Sequence, residues 1–76
     1  MDYDALEALL ERRLAVIADV ELRERDPALQ LQYLQEVSEG IDAWAATHRA
    51  EIPAKLRHYL QQSSLQKALG FVQQQK

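Results

Sequence analysis

The chain has 76 residues, 47% of them apolar, and a net charge of −3 from nine Lys and Arg against twelve Asp and Glu, with no cysteine. That length sets one domain, 1–76, close to the size at which a single core is only marginally sufficient. It also lacks the means for disulfides, cysteine-ligated zinc or thiol catalysis. The charge is unevenly placed: residues 1–48 hold eleven acids and four Arg, a sum of −7, and residues 49–76 hold five bases and one acid, a sum of +4.

Residues 3–25 read as one long helix. Asp4 followed by Glu7 has the form of a capping box, with Asp2 as the alternative cap. Leu6, Leu10, Leu14 and Ile17 step along one helical stripe, and Leu9, Val16 and Val20 widen it. Asp19–Arg23 and Glu21–Arg25 are acid-before-base pairs at i,i+4, and Arg23 and Arg25 suit a helix C-terminus. Asp26-Pro27 then opens a second helix over 27–49, Asp as the cap and Pro at the first helical position. So short a connection predicts an antiparallel hairpin.

The second helix has the cleanest register in the chain: Leu34, Val37, Ile41, Trp44 and His48, with Leu31 expected to extend the seam by one turn. Gly40 interrupts the pattern at a cost of about 1 kcal/mol relative to Ala. The expectation is that the helix continues and that Gly40 admits close approach of another helix or marks a kink. Pro53 disfavours helical geometry at Ile52 and starts a third helix over 53–62, with Leu56, Tyr59 and Leu60 inward. Ser63 with Gln66, or Ser64 with Lys67, signals the cap of a fourth helix over 64–72 carrying Leu65, Ala68, Leu69 and Val72. Gly70 is a possible early stop, and residues 73–76 are expected to fray. The predicted fold is all-α: a small antiparallel helical bundle of two long helices followed by two short ones.

Little in the chain carries chemistry. His48 and His58 are the only histidines, and no Glu-x-x-His or His-x-x-x-His spacing occurs. His48 is expected to end the seam against Trp44, and His58 to lie near the surface. The acids Asp4, Glu7 and Glu11, and Glu36 with Glu39, fall on polar helix faces and read as solvated surface. Neither a serine elbow nor a phosphate-binding glycine loop occurs, since the two glycines stand at 40 and 70. Ser63-Ser64 beside Lys67 reads first as a cap and second as an anion site. No catalytic, cofactor or metal residues are assigned, and the chain is not expected to be an enzyme.

What remains is association. Trp44 is expected in the core, with a partner-binding role as its alternative. The stripe on the first helix, with Leu9 and Val16, is wider than one hairpin partner covers, which predicts a homodimer. Arg57 and Lys67 in the basic segment would face acids of the same fold or of a twin. The candidate interface is therefore Leu9, Val16, Trp44, Arg57 and Lys67. The leading function is a helical protein–protein interaction module with itself or another protein as partner. A nucleic-acid-binding regulator using helices 53–76 is the alternative, weakened by a thin basic patch and a net negative chain. The acidic start (Asp2, Asp4, Glu7) is unlike a signal peptide, and the longest apolar run, Leu14 to Ala18, is far short of the roughly 20 residues that cross a bilayer. A cytoplasmic protein with no membrane partner is the corresponding expectation.

Overall fold

The computed structural model describes residues 2–62 and 64–75. Among them are five helices and no strand: α1 (Asp4–Ala18), α2 (Val20–Arg25), α3 (Pro27–Thr47), α4 (Ala54–Gln61) and α5 (Leu65–Gln74). The fold is an all-α small helical bundle.

The stretch expected to be one helix over 3–25 is divided at Asp19. Its backbone leaves the helical region (φ −78°, ψ 86°), and its carboxylate accepts a hydrogen bond from the Leu22 amide at 3.0 Å. Aspartate competes with the helix for backbone donors, so here it stops α1 and starts α2. The Asp19 carboxylate thus serves as a cap, whereas Glu21 and Arg25 do pair, at 3.0 Å across an exposed turn. At the start of α1 it is Asp2 that reaches a first-turn amide, accepting from the Asp4 N–H at 2.9 Å, with Tyr3 in the cap position. Asp26 caps α3 as expected: its carboxylate accepts from the Leu29 amide at 3.0 Å, and Pro27 occupies the first turn.

The arms α1 and α3 run antiparallel. Tyr3 meets Trp44 with ring centroids 6.2 Å apart, Leu9 covers Gly40, and the Gln30 Nε2 donates to the Val16 carbonyl at 3.1 Å. Each advance along α1 thus meets an earlier residue of α3. The helix continues through Gly40, where an added Cβ would stand 2.9 Å from Leu9 Cδ2. Close approach is the use of this glycine. Val37, Ile41 and Trp44 are buried as the seam predicted, but Leu31 is 57% exposed. Stepping back from Leu34 by the alternating three and four of the seam lands on Gln30, not Leu31. Gln30 takes the inward position and satisfies its amide on Val16, while Leu31 lies one position round the helix.

After α3 the chain turns on the His48 carbonyl, which accepts from the amides of Glu51 at 2.9 Å and Ile52 at 3.1 Å. The turn buries Ile52, and Pro53 stands at the N-cap of α4. Leu56 of α4 is fully buried, with Tyr59 and Leu60 half-buried against the core. Helix α5 packs on both α1 and α4. It does not end at Gly70 but runs to Gln74, because Val72 beyond the glycine is fully buried and holds the next turn down. Ser63 of the Ser63–Gln66 capping box and Lys76 at the end of the tail lie outside the described residues. Leu6, Leu10, Val37, Leu56 and Val72 form the centre of the core.

Candidate functional site

Helix lengths decide what the fold leaves uncovered. At 1.5 Å per residue α3 is about 31 Å long, whereas α4 and α5 are only about 12 and about 15 Å. The two short helices therefore cover one half of the hairpin, the base. Core membership follows this limit: on the first arm it ends at Leu14, and on the second it begins at Val37. The tip projects beyond, so the molecule measures 40 × 22 × 20 Å. Its radius of gyration of 13.0 Å exceeds the roughly 11 Å of a compact chain of this length.

In the tip, Val16, Leu22, Leu29 and Leu34 are half-buried. Three large apolar side chains are exposed there: Ile17 at 40%, Val20 at 49% and Leu31 at 57%. Ile17 follows Val16 and Leu31 follows Gln30, so both lie within one residue of the contact between the two arms. Charged residues stand on either side of them in the chain. On the base side, Arg13 and Ile17 line an open cleft with Leu14, Ser64, Leu65 and Lys67. On the tip side, Glu24 follows Val20 by one turn of α2 on the same face and is exposed.

A second cleft, about 360 Å³, separates the end of α3 from α4. Ala45 and Ala46 are too small to fill it, Leu60 lines it from α4, and Arg49 and Arg57 stand at its edge. The Arg57 Nη2 donates to the Arg49 carbonyl at 3.0 Å, which ties α4 to the turn after α3.

The five residues assigned to an interface from sequence are not brought together. Leu9 is half-buried within the hairpin, on Gly40, so part of the wide stripe on α1 is covered by the chain itself. Another part is covered by α5. Val16 is half-buried, and its carbonyl accepts from both Asp19 N, at 3.3 Å, and Gln30. Trp44 is 7% exposed and belongs to the core. Arg57 and Lys67 are exposed, one on each cleft. What the sequence reading missed is that Ile17, Val20 and Leu31 are the uncovered part of the apolar surface. The signal was present in the unequal helix lengths.

His48 stacks on Trp44 with centroids 4.4 Å apart, and its Nδ1 lies 2.9 Å from the Trp44 carbonyl. His58 is exposed. Among the described residues no group of three His, Asp or Glu side chains is placed to hold a metal ion. Ser64 occupies the N-cap of α5 without a side-chain capping bond; its amide instead donates to the Tyr59 carbonyl at 2.9 Å. Among the described residues no helix is long and apolar enough to cross a membrane. Comparison with models of known protein families, with curated proteins and with solved structures finds no match to this chain.

Proposed function

We propose that this chain is a helical interaction module that works by association rather than catalysis, and that its partner is a second copy of itself. The observation that carries the reading is the exposure of three large apolar side chains, Ile17, Val20 and Leu31, toward the hairpin tip, which the two short helices leave largely uncovered. Exposed apolar side chains gathered toward one end of a small fold have the composition of an interface. A chain of 8.7 kDa has a small core, and covering the tip adds burial where its own helices supply none. Sedimentation equilibrium across micromolar concentrations tests this. The expected result is a species of twice the chain mass that dissociates on dilution. A single 8.7 kDa species throughout would remove the self-association. Retention on a DNA matrix, released by salt, would transfer support to the basic 53–76 helices as a nucleic-acid surface.

A further inference from the structure

The cleft between the end of α3 and α4 is open because α4 packs against α5 rather than closely along α3. One face of each helix makes a wall. Asp42, Ala45 and Ala46 line it from within α3, and Arg57, Leu60 and Gln61 line it from within α4 at the same helical spacing. Arg49 and Ile52 close it at the turn between them. The middle is apolar, made by Ile52, Leu60 and the two alanine methyls. The turn end is cationic. There the Arg57 Nη2 donates to the Arg49 carbonyl at 3.0 Å, which holds the two arginines side by side. That bond uses the backbone of Arg49 and leaves its guanidinium uncommitted, and Arg57 keeps its remaining N–H donors. Among the described residues neither guanidinium has a carboxylate within ion-pair distance; the pair that does form is Glu21 with Arg25. Glu51 lies in the same turn but is exposed and does not line the cleft. Asp42 lines it from beyond the alanines, on the side away from the turn. Two like charges held together at one end of an apolar cleft, without a counter-ion, match an organic anion. The volume of about 360 Å³ sits at the small end of the range for small-molecule sites.

We propose that this cleft binds a small carboxylate with an apolar body, the carboxylate held by Arg49 and Arg57 and the body lying along Ala45, Ala46 and Leu60. Guanidinium forks suit the two oxygens of a carboxylate, and the small alanines leave the room that the body occupies. Asp42 opposes an anion at the far end, which directs the carboxylate to the turn. The bound molecule bridges α3 and α4, which the fold itself leaves apart. The site is separate from the exposed tip and does not depend on self-association.

The test titrates the intact chain with phenylbutyrate and, separately, with its neutral amide, followed by amide chemical shifts. Phenylbutyrate is expected to give saturable shifts at Ala45, Ala46, Arg49, Arg57 and Leu60, and to bind about tenfold more tightly than the amide, the difference carried by charged hydrogen bonds. Arg49→Gln is expected to bring the acid down to the affinity of the amide while leaving the amide unchanged. This variant keeps the carbonyl that Arg57 holds, so it removes the charge without untying the turn. Ala46→Leu fills the cleft and is expected to abolish the binding of both probes. Circular dichroism checks that each variant keeps its helices, as expected for two exposed positions. Equal affinity for acid and amide, or an Arg49→Gln variant that binds the acid as wild type does, would overturn the assignment. So would shifts that map to Arg13 and Lys67 instead, or no saturable shift at the cleft up to the solubility of the acid. Sedimentation reads the self-association independently, so either proposal can fail without the other.

Discussion

Trp44 shows how one side chain connects the parts of this small fold. It is 7% exposed, meets Tyr3 across the hairpin and stacks on His48 at the end of its own helix. Trp44→Ala is expected to cost about 3–5 kcal/mol, a large share of the stability of any domain this size; urea denaturation followed by circular dichroism measures it. The two glycines make a paired test at the same scale. Both lie within helices, where Ala is favoured over Gly by roughly 0.5–1 kcal/mol. At Gly70 an added Cβ meets nothing within 4 Å, so Gly70→Ala should stabilise the fold by that full amount, read as a higher denaturation midpoint. At Gly40 the new methyl would press on Leu9, so the gain should be smaller or reversed as Leu9 gives way. Equal gains at both positions would show that the Leu9 contact is loose. The burial of Trp44 was legible because its neighbours repeat at seam spacing. The exposure of Leu31 was not, because an apolar count prefers Leu31 to the Gln30 that the register places inside.

Among the elements, the two breaks in the N-terminal half share one phrase. Asp19-Val20-Glu21-Leu22 and Asp26-Pro27-Ala28-Leu29 each set an Asp carboxylate on the amide of a Leu three residues later. The second was legible because proline announced it. The first was not, because Asp19 also fits an i,i+4 pair with Arg23, and nothing in the spacing ranks capping above pairing. Asp19→Ala is expected to cost about 0.5–2 kcal/mol and to let α1 and α2 join as one continuous helix. Backbone chemical shifts at residues 18–20 report the joining, and a variant that keeps non-helical shifts there would show that the bend is set by packing on α3 instead. Gly70 illustrates the opposite error: glycine stops a helix only where no packing follows, and buried Val72 follows here.

At the scale of the whole molecule the fold class was open to reading, because proline breaks and helical periodicity are local properties. The exposed tip was less so. Which part of the hairpin remains bare depends on how far along it α4 and α5 lie, and periodicity carries no such distance. Stability should be divided in the same way. Amides of the base, around Leu6 to Leu14, Val37 to Trp44 and Leu69 to Val72, should exchange with deuterium only on global unfolding. Those around Val20 to Leu31 should exchange through local opening, and more slowly as the protein concentration is raised. Uniform protection along α3 from Leu29 to Trp44 at low micromolar concentration would contradict the division.

The side-by-side placement of α1 and α5 bears on how the chain finds its shape. The cleft residues join the start of α5 to Arg13, Leu14 and Ile17, so α5 runs back along α1 and brings its last turn to where α1 begins. Elements at opposite ends of the sequence therefore complete one core, and their meeting must close a loop of most of the chain. The hairpin can form from contacts nearer in sequence, but Leu6 and Leu10 are covered only when α5 arrives. A circular permutant follows from this adjacency: a short flexible linker from α5 to α1, with new ends opened between α4 and α5. It should reach the same helical content while refolding faster, because the slowest contact to form becomes a local one. Stopped-flow refolding of the two connectivities measures the difference directly.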